Sequence, residues 1–482
     1  MFKLCASNKH RLMIINFEIQ GLWFLPENKE KRIPGTLRFD PVDGAILELI
    51  GSLNNQDFFL QSNPETFIIL GLSVNSEYIT LFNCFNFSRR GQTYRKGNEQ
   101  GPAIEKYYAN FILKGHHFET EESLKFNSIK SSIQNFDEWL NITGFKHSES
   151  LNKLTEKSIY LDYELPENIE FELHDNFKGK FIFSSTSPSY YSPKSESITQ
   201  NVEIEINSTE DIALDDIRKL LARFQNFLIM GIYKSVFPTA ITLYNSNLMN
   251  DYGNSGKYRK PIEFFQTTSK RKNRKEIHPN EMLFDYRKIE SHFPVVIKNW
   301  FTKYDKLKPA FGLIFEQFYN ESKFSENTFL NLAQAAETLH SRLYNHTKIP
   351  KEDYKEMKNE ILKLTPVKYH TWLKEQFNFG NQLNLHQRLT ELLDKYSNET
   401  LSELIPNKIT FIKQIKDLRN YYTHYSTSLE KHLISEQDLM LLSERIKLIL
   451  VIGLLHEIGL PKKTIDSLLE KVKYNFNHLK VE

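Results

Sequence analysis

The stretch "IKDLRNYYTHYS", residues 415–426, contains side chains that can act together on a phosphate group. Arg419 is a permanent cation that can bind phosphate through paired hydrogen bonds and offset charge growing on a pentacoordinate phosphorus. His424 can remove a proton from a ribose 2′-OH or donate one to a departing 5′-oxygen. Asn420 follows the arginine directly. The residue types therefore suit phosphodiester cleavage that needs no metal ion.

A helical wheel limits how these side chains can meet. At about 100° per residue, Arg419 falls inside an apolar arc that includes Ile415 and Leu418. We therefore expect a buried guanidinium, which requires an anion or well-placed acceptors. His424 lies about 140° from Arg419 on an ideal helix. Either the helix ends near Thr423 and the imidazole turns back, or a second copy of the chain supplies the complementary half.

The tyrosines of this stretch have two roles open to them. Tyr421 and Tyr425 are candidates for stacking on exposed bases, whereas Tyr422 lies on the apolar arc, which favours core packing. An Arg-x-x-x-x-His spacing also arises by chance in helices. In that case the arginine forms a salt bridge and the histidine is an ordinary surface residue. Spacing alone favours this second interpretation, so the surrounding elements must decide.

The elements around the motif are predicted to be helical from about Glu290 to the end, where apolar residues recur at helical spacing. Ser435 and Asp438 form a predicted capping pair before a long apolar helix. Prolines 309, 350, 366, 406 and 461 separate the segments. The predicted helices are 293–307, 310–322, 326–345, 369–378, 385–397, 407–424, 435–459 and 462–475. The C-terminal part is therefore predicted to be a helical bundle.

The N-terminal part has a different pattern, with short apolar runs between turn residues from Met13 to about Ile206. "PVDG" marks a turn between "RIPGTLRFD" and "AILELIGSL". "NFDEWLNITGF" predicts a short helix, and "INSTED" offers capping residues before a helical segment. The basic run from Lys270 to Lys275 is either a solvated loop or a contact to an RNA backbone. The predicted fold class is α+β, with a β-sheet-rich N-terminal domain before an all-α bundle.

The composition indicates a soluble intracellular protein of two or three domains. The chain has 482 residues, a formal net charge of +2 and two cysteines, Cys5 and Cys84. A charge so near zero gives no global attraction to nucleic acid or anionic membranes. Two cysteines suffice neither for a disulfide framework nor for a cysteine-based zinc site. No apolar run approaches the roughly 18 residues of a membrane span, so we expect a cytoplasmic location without membrane contact.

Several catalytic signatures are incomplete. "HEIGL" begins like a zincin helix at His456, but Leu460 occupies the position of the second histidine. The glycine-rich patterns of P-loops and dinucleotide-binding folds do not occur. We therefore predict no metal ligands and no cofactor.

The motif in its context resembles the HEPN domain signature, in which an arginine and a polar residue precede a histidine. "RNYYTH" stands before a long apolar helix, and "FLNLAQAAETLHSRLYN" resembles the first HEPN helix, with Glu337 at a frequent acidic position. "GLWFLPENKEKRIPGTLRFDPVDGAILELIGSL", "ITLFNCF", "FDEWL" and "IEFELHDNFKGKFIF" resemble the N-terminal domain of ApeA-type proteins, bacterial antiphage defence proteins with a C-terminal HEPN domain. The resemblance covers nearly the whole chain.

This resemblance implies a metal-independent ribonuclease that works by 2′-OH attack and leaves 2′,3′-cyclic phosphate and 5′-OH ends. HEPN sites are typically composite, so a homodimer or higher homo-oligomer is expected. Carried over by position, Arg419 binds and polarises phosphate, His424 is the general acid or base, and Asn420 orients them. Glu337 is a supporting residue beside the bound substrate.

One departure concerns control of the activity. HEPN toxins silenced by a nucleotidyltransferase partner usually carry a tyrosine two places beyond the histidine, where this chain has Ser426. Control by the N-terminal domain, with a phage-derived trigger, is therefore the expectation.

The resulting prediction is an antiphage endoribonuclease toxin that stops growth by abortive infection. The predicted domains are an ApeA-like domain at 1–300, β-rich to about 206 with helical and basic-loop segments after, and a HEPN-type bundle at 301–482. The alternative is a non-catalytic module that binds RNA, nucleotide or protein and uses Arg419 only as an anion anchor. A third hypothesis is a purely structural dimerisation bundle.

Overall fold

The computed structural model of the protein describes residues 16–53, 67–90, 103–146, 162–186, 196–253, 256–267, 276–320, 325–344 and 346–479. Contacts divide the chain into two compact units. The first comprises residues 1–228 and 236–278, and the second comprises 229–235 and 279–482. The domain boundary at residue 300 stays a prediction, because a unit defined by its internal contacts need not be a domain that folds independently. The predicted basic run at Lys270 to Lys275 lies outside the described residues.

Strands dominate the first unit. They are β1 (Phe17–Leu25), β2 (Asn28–Asp40), β3 (Gly44–Ile50), β4 (Phe67–Ser73), β5 (Tyr78–Arg90), β6 (Ile104–Lys114), β7 (Lys125–Ile133), β8 (Phe145–Lys146), β9 (Asp162–Tyr163), β10 (Ile169–His174), β11 (Phe177–Ser185), β12 (Gln200–Ala213), β13 (Pro238–Tyr244), β14 (Met249–Asp251), β15 (Lys257–Arg259) and β16 (Ile262–Gln266). Two helices accompany them, α1 (Phe136–Leu140) and α2 (Leu214–Ile232).

The main sheet of this unit is antiparallel and closes on itself at one end. Its order is β10-β11-β12-β7-β13-β16-β6-β3-β2-β1-β4-β5, and β5 also pairs with β6. The strands from β6 to β5 therefore form a closed barrel. Side chains that point inward are fully buried, among them Trp23, Leu37, Leu47 and Ile112. The predicted sheet-rich N-terminal region is confirmed.

The predicted turn at "PVDG" lies between β2 and β3, and the residue before it, Asp40, stabilises the turn. The Asp40 Oδ1 atom accepts hydrogen bonds from the amides of Val42, at 2.7 Å, and Asp43, at 3.0 Å. Gly44 has a φ of 88°, which a residue with a Cβ rarely adopts. Aspartate and glycine thus fix the register of the hairpin, with Asp40 opposite Gly44.

Strand structure extends further along the chain than the sequence predicted. The proposed capping residues Ser208 to Asp211 lie within β12, and the helix α2 begins only at Leu214. Pairing with β7 holds β12 extended to its end, where Ile212 faces Phe126. After α2, β13 and β16 return to the main sheet. Tertiary pairing therefore overrides the local capping signal.

Helices make up the second unit. They are α3 (Tyr286–Ile289), α4 (Phe293–Tyr319), α5 (Ser325–Leu343), α6 (Lys351–Leu364), α7 (His370–Gly380), α8 (Leu385–Lys395), α9 (Glu399–Leu404), α10 (Lys408–His424), α11 (Glu436–Glu457) and α12 (Lys462–Val472). The helix α5 contacts α4, α8, α10 and α11. The predicted α+β class with a helical C-terminal region is confirmed. Within the described ranges, no helix has the length and apolar character needed to cross a bilayer.

The predicted helix break at Pro309 is wrong, because α4 runs through this proline. Its apolar face continues on both sides, with Leu307 and Phe311 buried. Trp300 stacks on Phe311 with ring centroids 4.7 Å apart. An internal proline costs about 3 kcal/mol or more, so we attribute the continuous helix to packing along this face.

Two helical glycines give a matched test of packing in the second unit. A Cβ on Gly453 would lie 2.8 Å from the ring of Tyr396, whereas a Cβ on Gly312 would meet nothing within 4 Å. The Tyr396 hydroxyl donates to Glu457 and is also hydrogen-bonded to the Tyr344 hydroxyl, and these contacts restrain the ring. We expect Gly453→Ala to lower the free energy of unfolding by roughly 1–3 kcal/mol. Gly312→Ala should raise it by up to about 1 kcal/mol. Denaturant unfolding of both variants checks this, and equal effects would contradict it.

Candidate active site

The helix α10 carries the motif and begins and ends with recognisable caps. The Asn407 side chain accepts a hydrogen bond from the Thr410 amide at 2.9 Å. At the other end Tyr425 has a φ of 49° and donates its amide to the Tyr421 carbonyl. The buried face of the helix includes Ile415 and Leu418, as the helical wheel predicted. The helix therefore ends directly after His424.

Arg419 lies at the edge of the buried face and not within it. Its side chain is 35% exposed, so the predicted full burial of the guanidinium is wrong. The helical wheel does not show that exposure rises over the last turn of α10, where Thr423 and His424 are exposed. The expected anionic partner is present, because the Arg419 Nη2 atom lies 3.2 Å from the Glu337 Oε2 atom. Glu337 is on α5, so the ion pair joins α5 to α10, the helix that carries the motif.

This ion pair leaves part of the guanidinium available. Nη2 of Arg419 donates to Glu337, and Nη1 makes only a long contact of 3.5 Å to the Asn420 side-chain oxygen. Arginine has several N–H donors in a planar fork and binds a phosphate best through two of them. Glu337 can thus orient the guanidinium while other donors remain for an anion. Because both side chains are partly exposed, the pair is worth only about 0.2–1 kcal/mol of stability.

His424 is exposed and occupies the last position of α10. Over the residues that the structure describes, no hydrogen bond connects its imidazole to Arg419 or to another side chain. The helix continues up to His424 and ends there. Both predicted routes to a complete site therefore stay predictions.

The tyrosines form an edge-to-face cluster at the same helix end. The Tyr421 ring lies 5.3 Å from Tyr422 and 5.7 Å from Tyr425, measured between centroids. Tyr425 is 68% exposed and can be reached from solvent. Tyr422 packs against Phe329 of α5, and its burial raises the pKa of its phenol. Tyr422 thus has the predicted packing role, and Tyr421 and Tyr425 stay candidates for base stacking.

A second polar cluster lies close to Glu337 and was not found by sequence reasoning. His340, His346 and Glu391 bring ligand-type atoms within 4.8 Å of one another. His340 follows Glu337 by three positions on α5, hence on the same side of the helix. No motif spacing connects residues so far apart in the chain, so nothing in the sequence marked them.

Comparison with protein-family models gives two matches, which follow one another along the chain. The model of ApeA N-terminal domain 1 matches residues 18–300, more than half of the chain. The model of Apea-like HEPN matches residues 330–464, which include α5 and α10. Comparisons with curated proteins and with solved structures found no match. With these two regions in this order, the chain belongs to the ApeA-like family, in which an ApeA N-terminal domain precedes a HEPN domain.

Proposed function

We propose that this protein is an endoribonuclease of antiphage defence that cleaves RNA without a metal ion. The observation that carries the proposal is the placement of Arg419 at the exposed end of α10. Glu337 holds one side of its guanidinium at 3.2 Å, and donors remain for a phosphate. The His424 imidazole, at the same helix end, makes no hydrogen bond to another residue in the described part of the chain. This combination suits a phosphate group that lies beside a hydroxyl whose proton can be removed.

In the proposed reaction, a ribose 2′-oxygen attacks the adjacent phosphorus while the bond from phosphorus to the 5′-oxygen breaks. An imidazole removes the 2′ proton, and a second acid protonates the departing 5′-oxygen. Arg419 offsets the charge that builds on the non-bridging oxygens. The products are a 2′,3′-cyclic phosphate and a 5′-OH, and no water or metal ion is consumed.

We infer that a second copy of the chain completes this site. Arg419 and His424 lie on different sides of α10, and the helix stays regular between them. A single chain therefore offers phosphate either the cation or the imidazole. A homodimer that faces two α10 ends toward each other brings an arginine from one copy to a histidine from the other.

In the cell we place this activity in the cytoplasm, restrained by the N-terminal domain until a phage-derived trigger releases it. Cleavage of host or phage RNA would then stop growth of the infected cell. Tyr421 and Tyr425 would stack on the bases beside the scissile phosphate.

A non-catalytic role is the second candidate. The ion pair between Arg419 and Glu337 is also what a simple anion anchor would have. In that case the protein binds RNA, a nucleotide or a protein partner, and His424 is a surface residue with no chemical role.

RNA ends separate the two candidates. After induction under phage challenge, cells with the wild-type protein should accumulate new 5′-OH and 2′,3′-cyclic phosphate ends. Cells with the Arg419→Ala/His424→Ala variant should not, because both the phosphate ligand and the proton carrier are gone. Sequencing of RNA ends with end-group chemistry measures this. Identical end profiles for the two proteins would refute the nuclease proposal.

A further inference from the structure

The cluster of His340, His346 and Glu391 lies in the helical unit. His340 is on α5, Glu391 is on α8, and His346 is in the segment that follows α5. The His340 side chain is fully buried, while His346 is 49% and Glu391 is 40% exposed. The cluster therefore has a buried side and a side open to solvent.

A single carboxylate joins the two imidazoles. The Glu391 Oε2 atom lies 2.7 Å from Nε2 of His340 and 2.9 Å from Nε2 of His346. All the ligand-type atoms lie within 4.8 Å of one another. Two imidazole nitrogens and a carboxylate oxygen are ligands that zinc takes, at about 2.0–2.2 Å. A metal ion between these three side chains would replace the hydrogen bonds that join the imidazoles to the carboxylate. Small shifts of the side chains would bring the ligand atoms to zinc-binding distances.

We propose that His340 Nε2, His346 Nε2 and the Glu391 carboxylate bind a divalent transition-metal ion of the zinc type. The solvent side of the cluster, where His346 is exposed, leaves a fourth position for water. This proposal departs from the sequence analysis, which predicted no metal ligands.

The ion would join α5 to α8 and to the segment after α5. Glu337 precedes His340 by about one helical turn on α5, so the same ion would steady the helix that carries the partner of Arg419. The metal would stabilise the fold. It would take no part in the proposed cleavage of RNA.

Arg388 supplies an independent test of the ligand assignment. Its Nη1 atom lies 3.3 Å from Nδ1 of His340, and its Nε donates to the Leu383 carbonyl at 2.9 Å. A guanidinium only donates, so Nδ1 accepts here and the ring proton is on Nε2, directed at Glu391. A metal on Nε2 would move that proton to Nδ1, where it would meet the guanidinium. Arg388 therefore opposes metal binding, and a side chain with an acceptor should favour it.

Zinc binding by the purified full-length chain tests the proposal. After treatment with chelator, equilibrium dialysis should show one tightly bound zinc ion per wild-type chain. We expect His346→Ala and Glu391→Gln to weaken binding at least 10-fold. His386→Ala, which removes an exposed histidine of α8 outside the cluster, should bind like wild type. Cobalt as a probe should give the visible absorption of a four-coordinate site in the wild-type protein and in the His386→Ala control. The two ligand variants should not show this absorption.

Several results would overturn the proposal. Wild-type protein that binds no zinc in the micromolar range, or a His346→Ala variant that binds as tightly as wild type, would exclude the site. His346 is exposed, so its loss should leave the circular dichroism spectrum unchanged and a folding defect would not explain weaker binding. We expect Arg388→Gln to bind zinc about 10–100-fold more tightly than wild type. If its affinity were no higher than that of wild type, His340 would not be a ligand of the ion. Because the readout is metal binding, the outcome is independent of whether the protein cleaves RNA.

Discussion

Replacement of His424 by alanine is expected to lower the rate of RNA cleavage by about 10²–10⁴-fold, the usual contribution of general acid–base catalysis. The fold should not change, because His424 is exposed at the last position of α10 and bonds to no other side chain in the described ranges. RNA affinity should change little, since Arg419 and its donors are retained. Single-turnover cleavage of labelled RNA, with a separate binding titration, measures both quantities.

The control for this experiment is His432→Ala, which removes a neighbouring histidine outside the Arg-x-x-x-x-His motif. It should cleave RNA at close to the wild-type rate. If His424→Ala cleaved as fast as this control, the histidine would have no chemical role. The non-catalytic interpretation, with Arg419 as an anion anchor, would then be preferred.

Arg419→Ala completes the comparison, because it should reduce both RNA affinity and cleavage. The ion pair with Glu337 is partly exposed and contributes little to stability, so the variant should stay folded. The purely structural hypothesis expects the opposite, namely that loss of Arg419 unfolds the chain or dissociates its copies. Thermal unfolding and sedimentation of the same variant distinguish these outcomes.

Hairpins were predictable from sequence where turn chemistry marks them, and strands without such marks were missed. "PVDG" identified the turn between β2 and β3 correctly, although the carboxylate that accepts the hydrogen bonds of this turn is Asp40, the residue before it. β7 escaped detection because serine occupies buried positions on it. Ser128 is fully buried and donates to Glu205, and Ser131 donates to the Ala240 carbonyl. A hydropathy pattern cannot distinguish such a satisfied buried hydroxyl from an exposed one.

Helices were predictable wherever an apolar stripe and a cap coincided. Ser435 caps α11 as predicted, accepting from the Asp438 amide at 3.1 Å. The break at Pro309 was predicted wrongly because the local cost of proline was considered without the aromatic packing along α4. α6 was missed altogether, since no residue of it is buried and 8 of its 14 residues are charged.

The residues of the candidate site stay a prediction, and the geometry of the site was not predictable from the sequence. The pairing of Arg419 with Glu337 spans 82 positions of the chain and was not predicted, although the resemblance to HEPN domains had marked Glu337 as a supporting residue. Periodicity placed Arg419 inside the apolar arc, and it could not show that the end of α10 becomes exposed and leaves Arg419 at the edge of the buried face. The cluster around Glu391 had neither periodicity nor a motif, because its residues meet only through the packing of α5 on α8.

Mixing two inactive variants should restore RNA cleavage if the site is shared between copies. Arg419→Ala keeps His424, and His424→Ala keeps Arg419, so a mixed dimer has one complete pair across its interface. Every dimer purified through both tags is mixed, and each has one of two possible pairs. The expected activity is therefore about half of the wild-type value, against almost none for either variant alone.

Cleavage assays on proteins that are expressed together from two tagged genes, and purified through both tags, measure this restoration. The double variant Arg419→Ala/His424→Ala, paired with wild type, serves as the matched control, because its mixed dimers have no complete pair across the interface. If each chain acted alone, the two single variants would stay inactive in every mixture. Such a result would mean that His424 reaches the phosphate bound by Arg419 of its own chain, which requires α10 to end earlier than His424 when RNA is bound.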